Sequence, residues 1–214
     1  MSWQGIIEGE AQRWGAEGAA HVLHVGAAGV PVDRVPGPLL PEVLQQGGGA
    51  VHLPPLGPLP APERLALIGF HQMNPNWDGV AVVVTDRATL WVTLSADEVI
   101  HIQGSATPAL IGALGLPEAG EGFGPALDRP ERLPLLLHDA ANGTEQAALL
   151  IGADIGATRT IWLGQQAVLI AEGALAKGYG HGLSAAHVPV TLTRQTALRE
   201  AGFAALAAKH LPSA

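Results

Sequence analysis

The run Val80-Ala81-Val82-Val83-Val84-Thr85 narrows the fold more than any other stretch of this chain. Five of its six residues are β-branched and none is charged, so it reads as a buried strand. Such a strand must be flanked by others and covered by apolar faces. The segment before it, Asn74-Pro75-Asn76-Trp77-Asp78-Gly79, is a strong turn. Upstream of that turn, Glu63–Met73 follows a proline and predicts a helix, with Leu65, Ile68 and Met73 near one face. Downstream, Thr89–Ser95 and Val99–Gln103 read as two further strands joined by a tight turn.

The same reading continues in both directions. Residues 3–17 place Trp3, Ile6, Ile7, Ala11 and Trp14 near helical spacing among polar residues, which predicts an amphipathic helix. His21–Val25 and Ala50–Leu53 read as short strands. Residues 31–62 hold more than half of the 17 prolines together with Gly47-Gly48-Gly49. They predict an extended, turn-rich connection with a short helix over Leu40–Gln45. Helices are expected at Pro108–Leu114, Ala174–Leu183 and Thr196–His210, and strands at Ala167–Ala171 and Val188–Leu192. Residues 115–144 are broken by Gly and Pro into short helical pieces. Strands alternating with helices argue an α/β class.

Charge and composition exclude several functions. The 214 residues carry 11 basic and 19 acidic side chains, a net −8, and the basic ones are scattered. No nucleic-acid or anionic-membrane partner is expected from that balance. There is no cysteine, hence no disulfide or thiolate chemistry, and the start shows neither a basic region nor a long apolar run. A cytoplasmic protein is the expectation. Nine histidines invite a metal, but His21 and His24 lie on opposite faces of their strand and no HExxH motif occurs, so no metal site is expected.

One stretch offers a sharper chemistry. In Gly152-Ala153-Asp154-Ile155-Gly156-Ala157-Thr158, the spacing Asp-x-Gly-x-Thr suits a phosphate loop, with the Asp positioning a metal. Helical spacing fits equally well through Ala148, Ile151, Ile155, Thr158 and Trp162. Only 56 residues follow Thr158, too few for the nucleotide-binding fold that such a loop opens. The helical reading over Leu149–Trp162 buries Ile151, Ile155 and Trp162 and leaves Asp154 exposed and free of metal.

Read from Ile68 to Gly112, the chain resembles the 2-dehydro-3-deoxygalactonokinase family of bacterial sugar-acid kinases. The stretches that carry this are Ile68-Gly69-Phe70-His71-Gln72-Met73-Asn74-Pro75-Asn76-Trp77-Asp78-Gly79-Val80, Trp91-Val92 and Glu98-Val99-Ile100. The likeness continues through Leu149–Ile155, Val168–Ala171, Leu175-Ala176 and Tyr179. It implies an actin-like, ribonuclease-H-like sugar kinase fold of two lobes. The first lobe, residues 1–76, would be shortened, because the sequence begins beyond the family's Asp-Trp-Gly-Thr loop, and residues 77–214 would form the second. It also implies ATP and Mg²⁺ as cofactors, 2-dehydro-3-deoxygalactonate as substrate, and leaves a homodimer open.

The family's motifs are largely replaced. PGTHxKWV falls on Thr85-Asp86-Arg87-Ala88-Thr89-Leu90-Trp91-Val92, which lacks its Gly, His and Lys. MTGE falls on Ala106-Thr107-Pro108-Ala109 and keeps Thr107, while MRGEET falls on Pro60–Leu65 and keeps Glu63. The glycine of GxxLxxxY is Glu172, with Leu175 and Tyr179 retained. The resemblance thus implies substrate contacts at Glu63 and Thr107 and nucleotide contacts at Leu175 and Tyr179. Three of these, and the retained Trp91, have a structural alternative: Glu63 facing a helix dipole, Thr107 as an N-cap, Tyr179 as a capping aromatic, and Trp91 as core. The sum is a kinase-like protein impaired in catalysis and kept for binding or regulation, with an active sugar-acid kinase as the alternative.

Overall fold

In the computed structural model, residues 2–211 are described and the chain divides into two compact units. The first comprises Met1–Trp77, Leu94–Ile102 and Gln195–Ala214; the second comprises Asp78–Thr93 and Gln103–Arg194. A single cut at residue 76 therefore does not describe the chain. The C-terminal helix returns to the first unit, as does the tip of one hairpin.

The first unit is built on a mixed sheet in the order β2-β1-β3-β6-β5. Its central strands β1 (Trp3–Ile7), β3 (His21–Val25) and β6 (Ala50–Leu53) run parallel, with antiparallel β2 (Arg13–Gly15) and β5 (Gln45–Gly47) at the edges. The helix expected over residues 3–17 is therefore a hairpin. Gly9 and Gly15 sit at φ +78° and +76°, where a helix cannot continue, and Gly5 and Ile7 alternate into the core with period two. Phe203 lies directly over Gly5, where a Cβ would strike its ring, and its ring also packs against Trp3 and Trp14.

Helix α1 (Ala61–Met73) begins two residues before the sequence reading placed it, with Glu63 in its first turn as expected. It crosses the closing helix, Gln195–His210, backbone to backbone. A Cβ on Gly69 would collide with the Leu198 carbonyl, and one on Gly202 with that of Leu65. The short helix expected at Leu40–Gln45 is absent. The carbonyls of Pro38 and Leu39 instead accept hydrogen bonds from the buried Arg64, and the Leu39 amide donates to the Asp97 carbonyl. Strand β4 (Gly37–Pro38) pairs with the start of β9 (Glu98–Ser105).

In the second unit, β7 (Gly79–Val84) is fully buried, as the valine run requires. On one side it pairs in parallel with β10 (Ala167–Ile170), which pairs in parallel with β11 (Val190–Thr193). On the other side lie β8 (Thr89–Ser95) and then β9, each reached through a tight turn. Helices α2 (Thr107–Ala113), α3 (Gly124–Asp128), α4 (Leu133–Asp139), α5 (Gly143–Ala157), α6 (Arg159–Trp162) and α7 (Gly173–Ala185) complete the unit. Its core joins Val80, Val82 and Leu169 of the sheet to Ile151, Ile155, Tyr179 and Leu183 of α5 and α7. Trp91 is fully buried there, which bears out its core assignment.

Candidate functional site

The Asp-x-Gly-x-Thr stretch lies inside α5, and its glycines serve packing. A Cβ on Gly152 would meet the Phe123 carbonyl, and one on Gly156 the Leu127 carbonyl, so both let α5 approach α3. Thr158 closes the helix by donating to the Asp154 carbonyl at 2.8 Å. Asn142 caps the other end, accepting from the Glu145 amide at 3.0 Å. No phosphate loop exists here, and Ile151, Ile155 and Trp162 are buried as the helical stripe predicts.

Asp154 itself corrects the sequence reading, because it is 5% exposed rather than solvated. One carboxylate oxygen accepts from Trp91 Nε1 at 3.0 Å and the other from the Tyr179 hydroxyl at 2.5 Å. Thr89 Oγ1 lies 2.5 Å from the same hydroxyl. Burial pushes the carboxyl above its ordinary value, while donors on Tyr179, Trp91, Ser105 and Thr89 pull it back. Burial and the adjacent carboxylate hold the Tyr179 phenol well above its own ordinary value, so it remains a donor. Trp91 and Tyr179 each need a partner for their polar atom when buried, and Asp154 is placed to serve both.

These groups stand behind a cavity of about 210 Å³. Its walls include Pro108 and Ile111 of α2, Ala147 and Ile151 of α5, and Ala174 and Leu175 of α7; Asp86 and Glu118 also line it. Ile151 lies three residues before Asp154, and Leu175 four before Tyr179, so one polar cluster fixes two of the walls.

Of the four residues singled out by resemblance, Leu175 lines this cavity. Tyr179 is fully buried behind it and presents no face to a ligand in this conformation. Thr107 is the first helical residue of α2 rather than its cap. It is 6% exposed, with its hydroxyl 2.9 Å from Ser105 Oγ. Glu63 belongs to the first unit, where Gln195 Nε2 donates to it at 3.3 Å. The structure therefore groups Thr107, Leu175 and Tyr179, and adds Asp86, Thr89, Glu118 and Asp154, which the sequence reading did not select. The available signal was the buried Trp–Tyr pair, which requires an acceptor nearby.

The turn between β7 and β8 is where the family carries PGTHxKWV. Three of its amides are engaged internally: Thr85 Oγ1 accepts from the amides of Arg87 at 3.2 Å and Ala88 at 3.0 Å, and the Thr85 amide donates to the Ala88 carbonyl at 2.9 Å. Amides so engaged are not free to cradle a phosphate. Asp86 adds a carboxylate at the tip, which repels a polyphosphate. The turn as it stands does not fit Mg²⁺·ATP. Among the described residues, no group of three His, Cys, Asp or Glu side chains could hold a metal ion.

No family model matches the sequence, and no curated protein does. A solved structure does match: a Sinorhizobium meliloti protein provisionally described as a 2-dehydro-3-deoxygalactonokinase. The TM-score is 0.77 at 16% identity, over 92% of this chain and 82% of that one.

The two proteins share a fold.

At that identity the likeness extends to the mixed α/β architecture with two sheets and no further.

Proposed function

We propose that this protein has the architecture of a sugar-acid kinase but binds a small molecule without transferring phosphate. The single observation that carries this is the closed β7–β8 turn, in which Thr85 consumes the amides a phosphate would need. Phosphoryl transfer rests on positioning and on electrostatic stabilisation of the transferred group. Losing even one preorganised donor commonly lowers a rate by about 10²–10³. The six-stranded sheet runs β11-β10-β7-β8-β9-β4, and its first five strands follow the order of a ribonuclease-H-like lobe, which supports descent from an actin-like kinase. The binding site on this reading is the cavity beside Leu175, with Thr107 and Tyr179 behind its walls.

The alternative, an active ATP-dependent kinase of 2-dehydro-3-deoxygalactonate, draws support from the description of the Sinorhizobium meliloti protein. A coupled ADP-release assay with Mg·ATP and that sugar acid separates the two. We expect no turnover above the buffer control; a rate of ~1 s⁻¹, the lower end for kinases, would establish the alternative. Cytoplasmic location and a possible homodimer remain part of the proposal. Among the described residues no helix is long and apolar enough to cross a membrane.

A further inference from the structure

The cavity beside Leu175 carries a charge pattern at odds with both ligands that the resemblance suggests. Most of its wall is apolar: Pro108, Ile111, Leu116, Ala147, Ile151 and Leu175. The ionisable residues lining it are Asp86 and Glu118, both carboxylic acids, and no Arg, Lys or His lines it. Two cations flank these acids without lining the cavity: Arg87, next to Asp86 in sequence, and Lys177, whose Nζ lies 3.3 Å from Glu118 Oε2 in an exposed pair. Exposed pairs of this kind hold weakly, so Lys177 can swing into solvent and leave Glu118 to another cation. The chain as a whole, at −8, adds to the negative potential.

Size restricts the ligand further. An apolar cavity of about 150 Å³ suffices for benzene. At about 210 Å³, and open to solvent on one side, this one seats a single ring and a short substituent within its walls. A nucleoside triphosphate would leave most of its bulk outside with its phosphates near two carboxylates, and a sugar acid would place a carboxylate and several hydroxyls against hydrocarbon and the same two like charges. An apolar body with one positive group meets both parts of the wall: hydrocarbon in the interior and an ammonium beside Asp86 and Glu118.

Resting on the reading of this cavity as the binding site, we infer that it takes a small apolar amine, an aromatic or alicyclic ring bearing one ammonium group. The ligand class is thus cationic and hydrophobic, the opposite of the anionic, hydrophilic sugar acids.

Calorimetry or ligand-observed NMR on the full chain tests this with four probes: 2-phenylethylamine, 2-phenylethanol, phenylacetate and ethanolamine. We expect 2-phenylethylamine to bind at least tenfold more tightly than each of the others. Asp86→Asn combined with Glu118→Gln should erase its advantage over 2-phenylethanol, and both substitutions lie at exposed positions where folding is retained. Ala174→Trp, also at an exposed position, should fill the cavity and remove binding of every probe that has a ring. If phenylacetate or 2-phenylethanol binds as tightly as the amine, the ligand class is wrong while the cavity stands as a site. If ethanolamine binds as tightly, the attraction is general to an acidic surface and the inference fails. If no ring-bearing probe binds, or binding survives Ala174→Trp, the cavity is not the site and the functional reading beneath it falls too.

Discussion

Arg64 in the first unit and Asp154 in the second are both buried ionisable side chains, and their surroundings differ in kind. Arg64 is fully buried and donates to Asp33 and to the carbonyls of Pro38, Leu39 and Pro54, all between 2.7 and 2.8 Å. Burial draws its ionisation downward and Asp33 pushes it back, and a guanidinium keeps its charge regardless. Asp154 is held by neutral donors, Trp91 and Tyr179, with no cation on its oxygens among the contacts described. A group that cannot shed its charge must be given a counter-charge and a full set of acceptors. A carboxyl can take up a proton instead, so neutral partners suffice.

The contrast predicts that removing the arginine has the largest effect. Arg64→Met should destabilise the protein by about 3–5 kcal/mol in chemical denaturation, since it leaves three carbonyls and Asp33 without their donor. A loss below ~1 kcal/mol would mean that water replaces the guanidinium readily and that the proline-rich segment does not depend on it.

A smaller effect sharpens the comparison by asking whether both units are equally tightly packed. Gly69→Ala in the first and Gly152→Ala in the second each drive a methyl into a facing backbone carbonyl. Each should cost about 1–3 kcal/mol by thermal or urea unfolding, because overpacking displaces whole helices. A neutral result at Gly152 would restore the possibility that this glycine is there for a ligand.

The smallest effect carries the most information. Asp154→Asn should change stability by only about 1 kcal/mol at neutral pH, since the amide keeps one acceptor and removes a buried charge. The pH dependence is the diagnostic. The folded pKa of Asp154 lies above the ordinary 3.8, so the folded chain holds this proton more tightly than the unfolded one. Its contribution to stability is therefore largest below 3.8 and declines as pH rises through the folded pKa. Melting curves across that window should show the decline in the parent and a flatter profile in Asp154→Asn. Parallel profiles would place Asp154 with the conventional charged carboxylates and erase the difference from Arg64.

The two units also differ in how legible they were. In the second, β7 and β8 and the helices α2, α5 and α7 were readable because long apolar runs and periodic stripes leave one way to bury them. In the first, Trp3, Ile6, Ile7 and Trp14 fit a helix by spacing, yet the parallel pairing of β1 with β3 overrode it. Local pattern cannot register a strand partner 18 residues away, as Trp3 and His21 are. Leu40–Gln45 failed similarly: the chain entering it is tied down at Leu39 by Arg64 and Asp97, and Gln45 leaves it in a strand paired with His52. At the site, Leu175 was reachable through the resemblance, whereas Asp86 stood only as the loss of a motif glycine and Glu118 carried no motif at all.

The sequence by itself determined the α/β class, most elements of the second unit, the burial of Trp91, and the absence of a phosphate loop at Asp154. These follow from periodicity, turn residues and length, which act over a few neighbours along the chain. Tertiary structure alone decided that residues 3–15 form a hairpin, that the last helix returns to the first unit, and that Asp154 is buried between Trp91 and Tyr179. Those outcomes depend on groups brought together from separations such as the 63 residues between Trp91 and Asp154. The free energy of burying and pairing such groups exceeds what local propensity contributes, so the local pattern gives way to the fold.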